Sequence, residues 1–174
     1  MSSLVVNPNV ITGFGMRFLL CDSPKDDHMD DFVQIFVKNK VKKVVRLTNP
    51  TYSTKMLNAK GISVIDLSFP DGSLPTEELL ASWREIVADI FPPEQVEAKS
   101  KISGPAEGHS LCVHCLASLG RAPVLVAVAL IDRGFDQTDV IQHIRKVRRG
   151  CFNRSQIDWL LSYSPPSSTG CFIV

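Results

Sequence analysis

The chain of 174 residues has no excess of charge of either sign, since 19 basic residues stand against 18 acidic ones and the net charge is +1. This balance argues against a global attraction to nucleic acid or to an acidic partner. The longest apolar run, Ala122 to Ile131, is too short to span a bilayer. The first residues lack the charged and then apolar pattern of a secretory signal. We therefore expect a compact intracellular protein that does not bind nucleic acid.

The chain also lacks a cysteine pattern that would predict a disulfide framework. Its five cysteines are an odd number at scattered positions: Cys21, Cys112, Cys115, Cys151 and Cys171. This usage favours a reducing compartment. The spacing Cys112-x-x-Cys115 is compatible with metal binding or thioredoxin-like chemistry, but Arg121 and the proline that follows it argue against both. We expect no metal and no cofactor.

Short apolar runs alternate with segments of helical periodicity, which predicts an α/β fold. Strands are expected at Met16–Cys21, Lys42–Leu47, Ile62–Leu67 and Ser110–His114. Helices are expected at His28–Lys40, Thr54–Lys60, Thr76–Phe91, Arg121–Arg133, Gln137–Arg148 and Ser155–Tyr163. The alternation favours a mainly parallel central sheet flanked by helices, with ligands bound beyond the carboxyl ends of its strands.

Three segments carry no such pattern. Met1 to Gly15, punctuated by asparagine, proline and glycine, is predicted to be an arm, and the polar segment Gln95 to His109 a loop. Ser164 to Gly170 is rich in serine and proline, which predicts disorder. Residues 1–163 should therefore form a single domain, followed by a flexible tail over residues 164–174.

The strongest functional signal is a loop in which a buried strand runs into Cys115 and a helix begins at Arg121. The loop amides can converge on one point at the helix N-terminus, which suits a phosphate. The predicted phosphate ligands are Leu116, Ala117, Ser118, Leu119, Gly120 and Arg121. Arg121 can grip two phosphate oxygens, and the positive surroundings favour the thiolate of Cys115 as a nucleophile. Gly120 is expected to supply the backbone freedom that a curled loop needs.

Alternatives remain open for each of these residues. Cys115 could be a small buried core residue, although the strand before it and Pro123 in the first turn of the helix favour catalysis. Departure of a phosphate ester also needs a proton donor. Asp71, between Pro70 and Gly72, is the candidate, but on spacing alone a simple turn is the stronger interpretation. Asp66, inside a predicted strand, is a weaker alternative.

The run from His114 to Ala127, His-Cys-Leu-Ala-Ser-Leu-Gly-Arg-Ala-Pro-Val-Leu-Val-Ala, resembles the signature of the phosphatases of regenerating liver, a branch of the dual-specificity tyrosine phosphatases. Further similar runs are Met16–Leu19, Val45–Arg46, Thr51–Tyr52, Phe69–Gly72 and Arg148–Asn153. The resemblance covers nearly the whole chain. It implies a dual-specificity phosphatase-like fold, a cysteinyl-phosphate intermediate, Asp71 as general acid and Arg121 as phosphate ligand.

Ala122 departs from the wider superfamily, in which serine or threonine usually follows the loop arginine. That hydroxyl can stabilise the departing thiolate when the phosphocysteine is hydrolysed, and alanine cannot. We therefore expect the first half-reaction to be competent and the second to limit turnover.

Three other departures concern redox control and loop closure. The family places a second cysteine, able to form a disulfide with the nucleophile, where this chain has Thr48; Cys21 and Cys112 are the remaining candidate partners. Leu67-Ser68 replaces a Trp-Pro pair before the loop of Asp71, and residues 92–109 form a longer segment than in the family.

The C-terminal residues Cys171-Phe172-Ile173-Val174 form a Cys-aliphatic-aliphatic-X box, so Cys171 is a candidate for prenylation, as the resemblance also implies. The family has a polybasic stretch before this box, but Ser164 to Gly170 contains no lysine or arginine. One lipid chain alone binds membranes weakly and reversibly. We expect the protein at the cytoplasmic face of the plasma or endosomal membrane, with a cytosolic pool.

The preferred functional interpretation is a slow protein tyrosine or dual-specificity phosphatase. A phosphoinositide phosphatase is the alternative within the same fold, favoured by the lipid box and by the basic run Arg145-Lys146-Val147-Arg148-Arg149. A solvated helix end that complements the helix dipole is the slightly stronger interpretation of that run. The resemblance further implies a binding module that contacts the cytosolic domains of magnesium transporters through the active-site face.

Overall fold

The computed structural model describes residues 8–92 and 108–166, and within them no helix is long and apolar enough to cross a membrane. The strands are β1 (Asn9–Gly13), β2 (Met16–Leu20), β3 (Val41–Arg46), β4 (Ser63–Asp66) and β5 (Ser110–His114). The α-helices are α1 (Met29–Lys38), α2 (Lys55–Asn58), α3 (Glu77–Ile90), α4 (Arg121–Asp132), α5 (Gln137–Val147) and α6 (Arg154–Ser162). The predicted elements are therefore found within about two residues of their expected ends, which is ordinary fraying.

The five strands form one sheet in the order β1-β2-β5-β3-β4. All neighbours are parallel except β1 and β2, so the predicted mainly parallel sheet is confirmed. β5 occupies the centre, and each of its five residues is buried. A strand that is covered on both faces is mostly apolar in sequence, and this pattern allowed β5 to be predicted.

Helices cover both faces of the sheet, as expected. On one face, α3, α5 and α6 pack around α4. α4 is buried along almost its whole length because eleven of its twelve residues are apolar or lie at the site. On the other face, Phe32 and Phe36 of α1 and Leu57 of α2 pack against β3 and β5. Two of these helices begin with side-chain caps: Thr76 Oγ1 accepts a hydrogen bond from Leu79 N at the start of α3, and Asp136 caps α5.

The prediction of an arm over Met1 to Gly15 was wrong for residues 9–13, which form the edge strand β1. Phe14 and Gly15, both with positive φ (48° and 72°), make a two-residue turn that returns the chain into β2. Such a turn matches the twist of paired strands. Ile11 is fully buried and attaches the strand to the core. The asparagine and glycine punctuation therefore marked a hairpin.

Two predicted segments lie largely outside the described residues. They are the loop from Gln95, of which only Gly108 and His109 are described, and the tail, of which residues 164–166 are described as neither helix nor strand. Cys171 also lies outside the described residues.

Candidate active site

The predicted loop lies at the carboxyl end of the central strand. β5 ends at His114, residues 115–120 turn, and α4 begins at Arg121. Gly120 O accepts the first helical hydrogen bond, from Val124 N at 3.0 Å, while Pro123 occupies the first turn where no N–H is needed. This is the edge of the sheet at which parallel α/β folds bind ligands.

Residues 116–119 turn their carbonyl oxygens away from the centre of the loop. Ser23 N donates a hydrogen bond to Leu116 O at 2.9 Å, and Phe152 N donates one to Leu119 O at 2.7 Å. The guanidinium of Arg148 donates hydrogen bonds to Ala117 O at 2.6 Å and to Ser118 O at 2.9 Å. Because the described part of the chain has no cis peptide bond, each amide that follows such a carbonyl faces the opposite way, into the loop. Converging amides of this kind bind anions.

Ser118 supplies the sharpest bend of the loop. Its φ is 49°, and its hydroxyl donates to Cys21 O at 2.5 Å and accepts from Cys115 N at 3.3 Å. The prediction that Gly120 gives the freedom in φ was wrong, because Gly120 has a φ of −123°. A Cβ at this position would lie 3.2 Å from Nε2 of Gln156, a tight contact that would require the Gln156 side chain to shift.

Cys115 lines a pocket of about 370 Å³ and is only 3% exposed. The lining is mostly the loop itself, together with Asp71 and Gly72 on one side and the segment before and within α6 on the other. The full set is Asp71, Gly72, Cys115, Leu116, Ala117, Leu119, Gly120, Gly150, Phe152, Asn153 and Gln156. Within the described residues, no cluster of side chains suited to a metal is present.

Arg121 connects the loop to the ends of two further strands. One terminal nitrogen donates to Leu47 O, just after β3, and to Phe69 O, after β4, each at 2.8 Å. Its Nε lies 3.1 Å from Oδ1 of Asp71, as an ion pair without hydrogen-bond alignment. The guanidinium is thus held at the pocket, and its Nε has no well-aligned hydrogen-bond partner among the described residues.

The two aspartates weighed as proton donors have different surroundings. Asp71 is exposed, lines the pocket, and lies in a turn in which Ser73 N donates to Pro70 O. Asp66 instead forms two hydrogen bonds with Arg46, at 2.5 and 3.0 Å, which lower the pKa of its carboxyl group. Asp66 is therefore engaged as a structural partner of a buried arginine, and Asp71 is both a turn residue and a pocket residue.

A buried series of hydrogen bonds supports the loop at Cys115. Tyr52 OH lies 2.8 Å from Nε2 of His114, and Nδ1 of His114 lies 3.2 Å from Cys115 O. Burial lowers the pKa of His114 to about 4, so the ring is neutral near pH 7. Since a carbonyl only accepts, Nδ1 carries the proton and Tyr52 donates to Nε2. This series of hydrogen bonds holds the Cys115 carbonyl turned away from the pocket.

The two candidate redox partners contact each other. The sulfur atoms of Cys21 and Cys112 are 3.7 Å apart in the core, and burial raises the pKa of the Cys112 thiol. A raised pKa keeps a thiol protonated and unreactive. Burial likewise raises the pKa of Cys151 to about 11.

One residue of the basic run, Arg148, has a structural role that sequence reasoning missed. Arg145, Lys146 and Arg149 are exposed, but the side chain of Arg148 is 13% exposed and holds the loop carbonyls described above. Arg148 also donates to Oδ1 of Asn9 at 2.7 Å. Neither a solvated helix end nor a basic rim describes this residue.

Gln156 was also missed. It lies in the first turn of α6, where Asn153 and Gln156 form a capping box. The pattern Asn-x-x-Gln before an apolar helix is a sequence signal for such a cap, but it does not indicate that the glutamine side chain faces a pocket.

No protein-family model matches the chain. Known proteins do: a probable protein tyrosine phosphatase type IVA A of Dictyostelium discoideum is 35% identical over 173 residues, covering 99% of this chain and 97% of that protein. Protein tyrosine phosphatase type IVA 3 of Homo sapiens is 38% identical over 150 residues, covering 86% and 80%. A solved protein tyrosine phosphatase from Leishmania major superposes with a TM-score of 0.76 at 29% identity, covering 91% of this chain and 99% of that one.

A kinase-associated phosphatase shares the fold, with a TM-score of 0.67 at 12% identity over 91% of this chain and 94% of that one. The match to the Dictyostelium protein extends over nearly the whole length of both chains, and the match to the human protein over at least 80% of each. They include the strand, loop and helix that form the pocket. The chain belongs to the protein tyrosine phosphatase type IVA family.

Proposed function

We propose that the chain hydrolyses phosphotyrosine in proteins through a phosphocysteine on Cys115. The observation that carries the proposal is the loop whose carbonyls are all bonded outward, which leaves inward amides and Arg121 to surround a phosphoryl group next to the sulfur. Such donors stabilise the charge that develops on the phosphoryl oxygens.

In the first half-reaction, the Cys115 thiolate attacks phosphorus and the bond to the tyrosine oxygen breaks. Asp71 gives its proton to the departing phenolate, which leaves as a neutral tyrosine. In the second, water attacks phosphorus and the P–S bond breaks, so that Cys115 leaves as thiolate. The water gives a proton to the Asp71 carboxylate, and inorganic phosphate is released.

The second half-reaction is the slow one. Ala122 is fully buried at the start of α4 and has no hydroxyl to offer the departing sulfur. Intact-mass analysis after mixing with a phosphotyrosine peptide should show a long-lived adduct on the wild type. Ala122→Ser should shorten its life and raise steady-state turnover by about 10-fold or more. A wild type without an adduct, together with unchanged turnover in the variant, would defeat the proposal.

The walls of the pocket favour an aryl phosphate over a phosphoinositide. Leu116, Leu119 and Phe152 line it, and none of the described residues that line it is a lysine or an arginine. The cation at its edge is Arg121, which forms an ion pair with the lining residue Asp71. A phosphoinositide with several phosphates needs more cations than this. Comparing kcat/KM for a phosphotyrosine peptide and for soluble phosphoinositides tests the choice. A higher value for a phosphoinositide would reverse it.

A second function, as a binding module, is favoured by two leucines at the mouth of the pocket. Leu116 is 68% exposed and Leu119 is 40% exposed, which is unusual for large apolar side chains. Their partner would be the cytosolic domain of a magnesium transporter. Binding that survives Cys115→Ser but is lost when phosphocysteine forms would support this function. Binding that neither change affects would place the contact elsewhere.

Membrane association through a prenyl group on Cys171 completes the proposal. The reason is the C-terminal box, and the expected location is the cytoplasmic face of the plasma or endosomal membrane with a cytosolic pool. Cell fractionation of wild type and Cys171→Ser tests it. An unchanged distribution would remove the lipid from the account.

A further inference from the structure

A second cavity, of about 260 Å³, lies against α3 and the last turns of α4, at the other end of that helix from Arg121. It shares no lining residue with the pocket of Cys115. We name it the α3–α4 groove. The residues that line it are Trp83, Arg84, Val87, Ala88, Ala129, Asp132, Arg133, Pro165 and Pro166.

Trp83 brings an unused hydrogen-bond donor to this groove. Its side chain is fully buried, and its Nε1 has no hydrogen-bond partner among the described residues. A buried indole N–H usually has a partner, and leaving it without one is costly. Because Nε1 is a donor only, the partner that it needs is an acceptor. An acceptor bound in the groove that Trp83 lines would meet this need.

The charged residues of the groove are already engaged with one another or with the backbone. Arg84 donates to Asp132 at 3.0 Å and to the hydroxyl of Tyr163 at 2.7 Å. That hydroxyl in turn donates to Asp132 at 2.7 Å, and Arg133 donates to Phe91 O at 2.7 Å. The other lining residues are apolar. The groove therefore suits a neutral ligand with apolar groups around one acceptor, which is what a peptide carbonyl between apolar side chains provides.

The chain itself contains such a peptide a few residues beyond the groove. Pro165 and Pro166 line the groove, so the chain reaches residue 167 from its edge. Residues 167–170 are Ser-Ser-Thr-Gly, a composition that favours a turn, and residues 171–174 are Cys-Phe-Ile-Val. Since an extended residue spans about 3.3–3.6 Å, four residues are enough to turn and bring the apolar segment back to the groove.

We propose that the α3–α4 groove binds residues 171–174 of the same chain, with a peptide carbonyl of that segment accepting a hydrogen bond from Nε1 of Trp83. The side chains of Phe172 and Ile173 pack against the apolar walls. The contact itself does not depend on the phosphatase activity. Its consequence rests on the proposed lipid attachment: while the segment is bound, Cys171 is withheld from a prenyltransferase.

The rate at which Cys171 is alkylated measures this contact. The full-length protein, produced in bacteria and therefore without a prenyl group, is exposed to iodoacetamide for a series of times. Peptide mapping by mass follows Cys171 separately from Cys115, and no phosphorylated substrate is added. A synthetic peptide of residues 167–174 gives the rate without the groove. The ratio of the peptide rate to the protein rate is the protection factor.

Two variants change the groove in different ways. Ala88→Leu adds an apolar side chain to the groove from an exposed position of α3. Ala81→Leu is its matched control, because Ala81 is exposed about two turns earlier on the same helix and does not line the groove. Trp83→Phe keeps an aromatic ring and removes the N–H. Urea unfolding establishes that each variant is folded under the conditions of the assay.

The wild type should have a protection factor of about 10 or more, because binding removes apolar side chains from water. Ala88→Leu should lower the factor to about one, since the added side chain occupies the space of the segment, and Ala81→Leu should leave it unchanged. Trp83→Phe should lower it by about 5-fold, the effect of losing one neutral hydrogen bond.

A protection factor near one in the wild type overturns the inference. Equal protection in the wild type and in Ala88→Leu overturns it too, because the segment would then bind elsewhere, and so do equal losses in Ala88→Leu and Ala81→Leu. A factor that rises with protein concentration would assign the groove to the segment of a second copy and overturn the contact within one chain. Failure to form the Cys115 adduct is a separate result, which defeats the proposed activity and leaves this contact standing.

Discussion

Replacing Arg148 with methionine tests whether phosphate binding depends on the imposed shape of the loop. The Arg148 side chain donates to the carbonyls of Ala117 and Ser118, and also to Asn9 and Asp22. The first two bonds turn two of the loop amides inward. Methionine has a similar length and makes none of them.

The size of the effect follows from these contacts. A hydrogen bond that involves a charged group contributes about 1.5–3 kcal/mol, so the two bonds to the loop are worth about 3 kcal/mol at the lower end. The bond to Asp22 is discounted because that carboxylate is 70% exposed. Since about 1.4 kcal/mol corresponds to a tenfold change in affinity, Arg148→Met should weaken binding of orthovanadate or inorganic phosphate by about 100-fold or more.

The assay is inhibition of peptide dephosphorylation by orthovanadate, supported by calorimetry with inorganic phosphate. Arg149→Met is the matched control, since it removes the same charge from the next, exposed position. Arg148→Lys keeps the charge but lacks the planar fork that reaches both carbonyls, so it should resemble Arg148→Met. Equal losses in Arg148→Met and Arg149→Met, or full rescue by lysine, would mean that charge rather than loop geometry is responsible.

Three further outcomes follow from the site. Asp71→Asn should lower kcat for a phosphotyrosine peptide about 100-fold, and much less for an aryl phosphate with an acidic phenol, because only the former needs a proton on its leaving group; equal losses would contradict this role. Asp66→Asn should lower the free energy of unfolding, measured in urea, by about 2 kcal/mol, because it removes the carboxylate that pairs with the buried Arg46. If kcat falls by more than the fraction of folded protein lost, Asp66 takes part in catalysis. The pKa of His114, about 4 in the fold against an ordinary 6.5, means that the unfolded chain binds the proton more readily. The stability from burying the neutral ring is therefore complete above about pH 6.5, lost as pH falls towards 4, and lower by roughly 2 kcal/mol at pH 5 than at pH 7; urea midpoints that do not differ between these pH values would refute the assignment.

The loop and its setting could be predicted because their chemistry is local. Cys115, the amides and Arg121 all fall within seven consecutive residues, after an apolar strand and at the start of an apolar helix. Asp71 lies 44 residues before Cys115 in the sequence, and its spacing alone favoured a simple turn. Only the resemblance pointed to the pocket, and the fold shows why both descriptions hold, since the turn after β4 lies against Arg121.

The parts that could not be predicted depend on where long side chains end. Arg148 belongs to a run of basic residues that all suit a helix end, and periodicity does not say which of them reaches back to the loop. Gln156 gave a recognisable cap but no hint that it lines the pocket. The edge strand β1 was missed because it pairs through its backbone and contains only one fully buried apolar side chain, Ile11.

The loop is therefore a product of the whole fold rather than of its motif. Its four carbonyls are bonded by Ser23 after β2, by Arg148 after α5 and by Phe152 before α6, while the bend at Ser118 is held by the backbone of Cys21. A residue with positive φ and a ring of inward amides is strained without a ligand, and these distant donors maintain it. It follows that a peptide containing only the motif should not bind phosphate, and that substitutions far from Cys115 in sequence can change catalysis without touching the substrate.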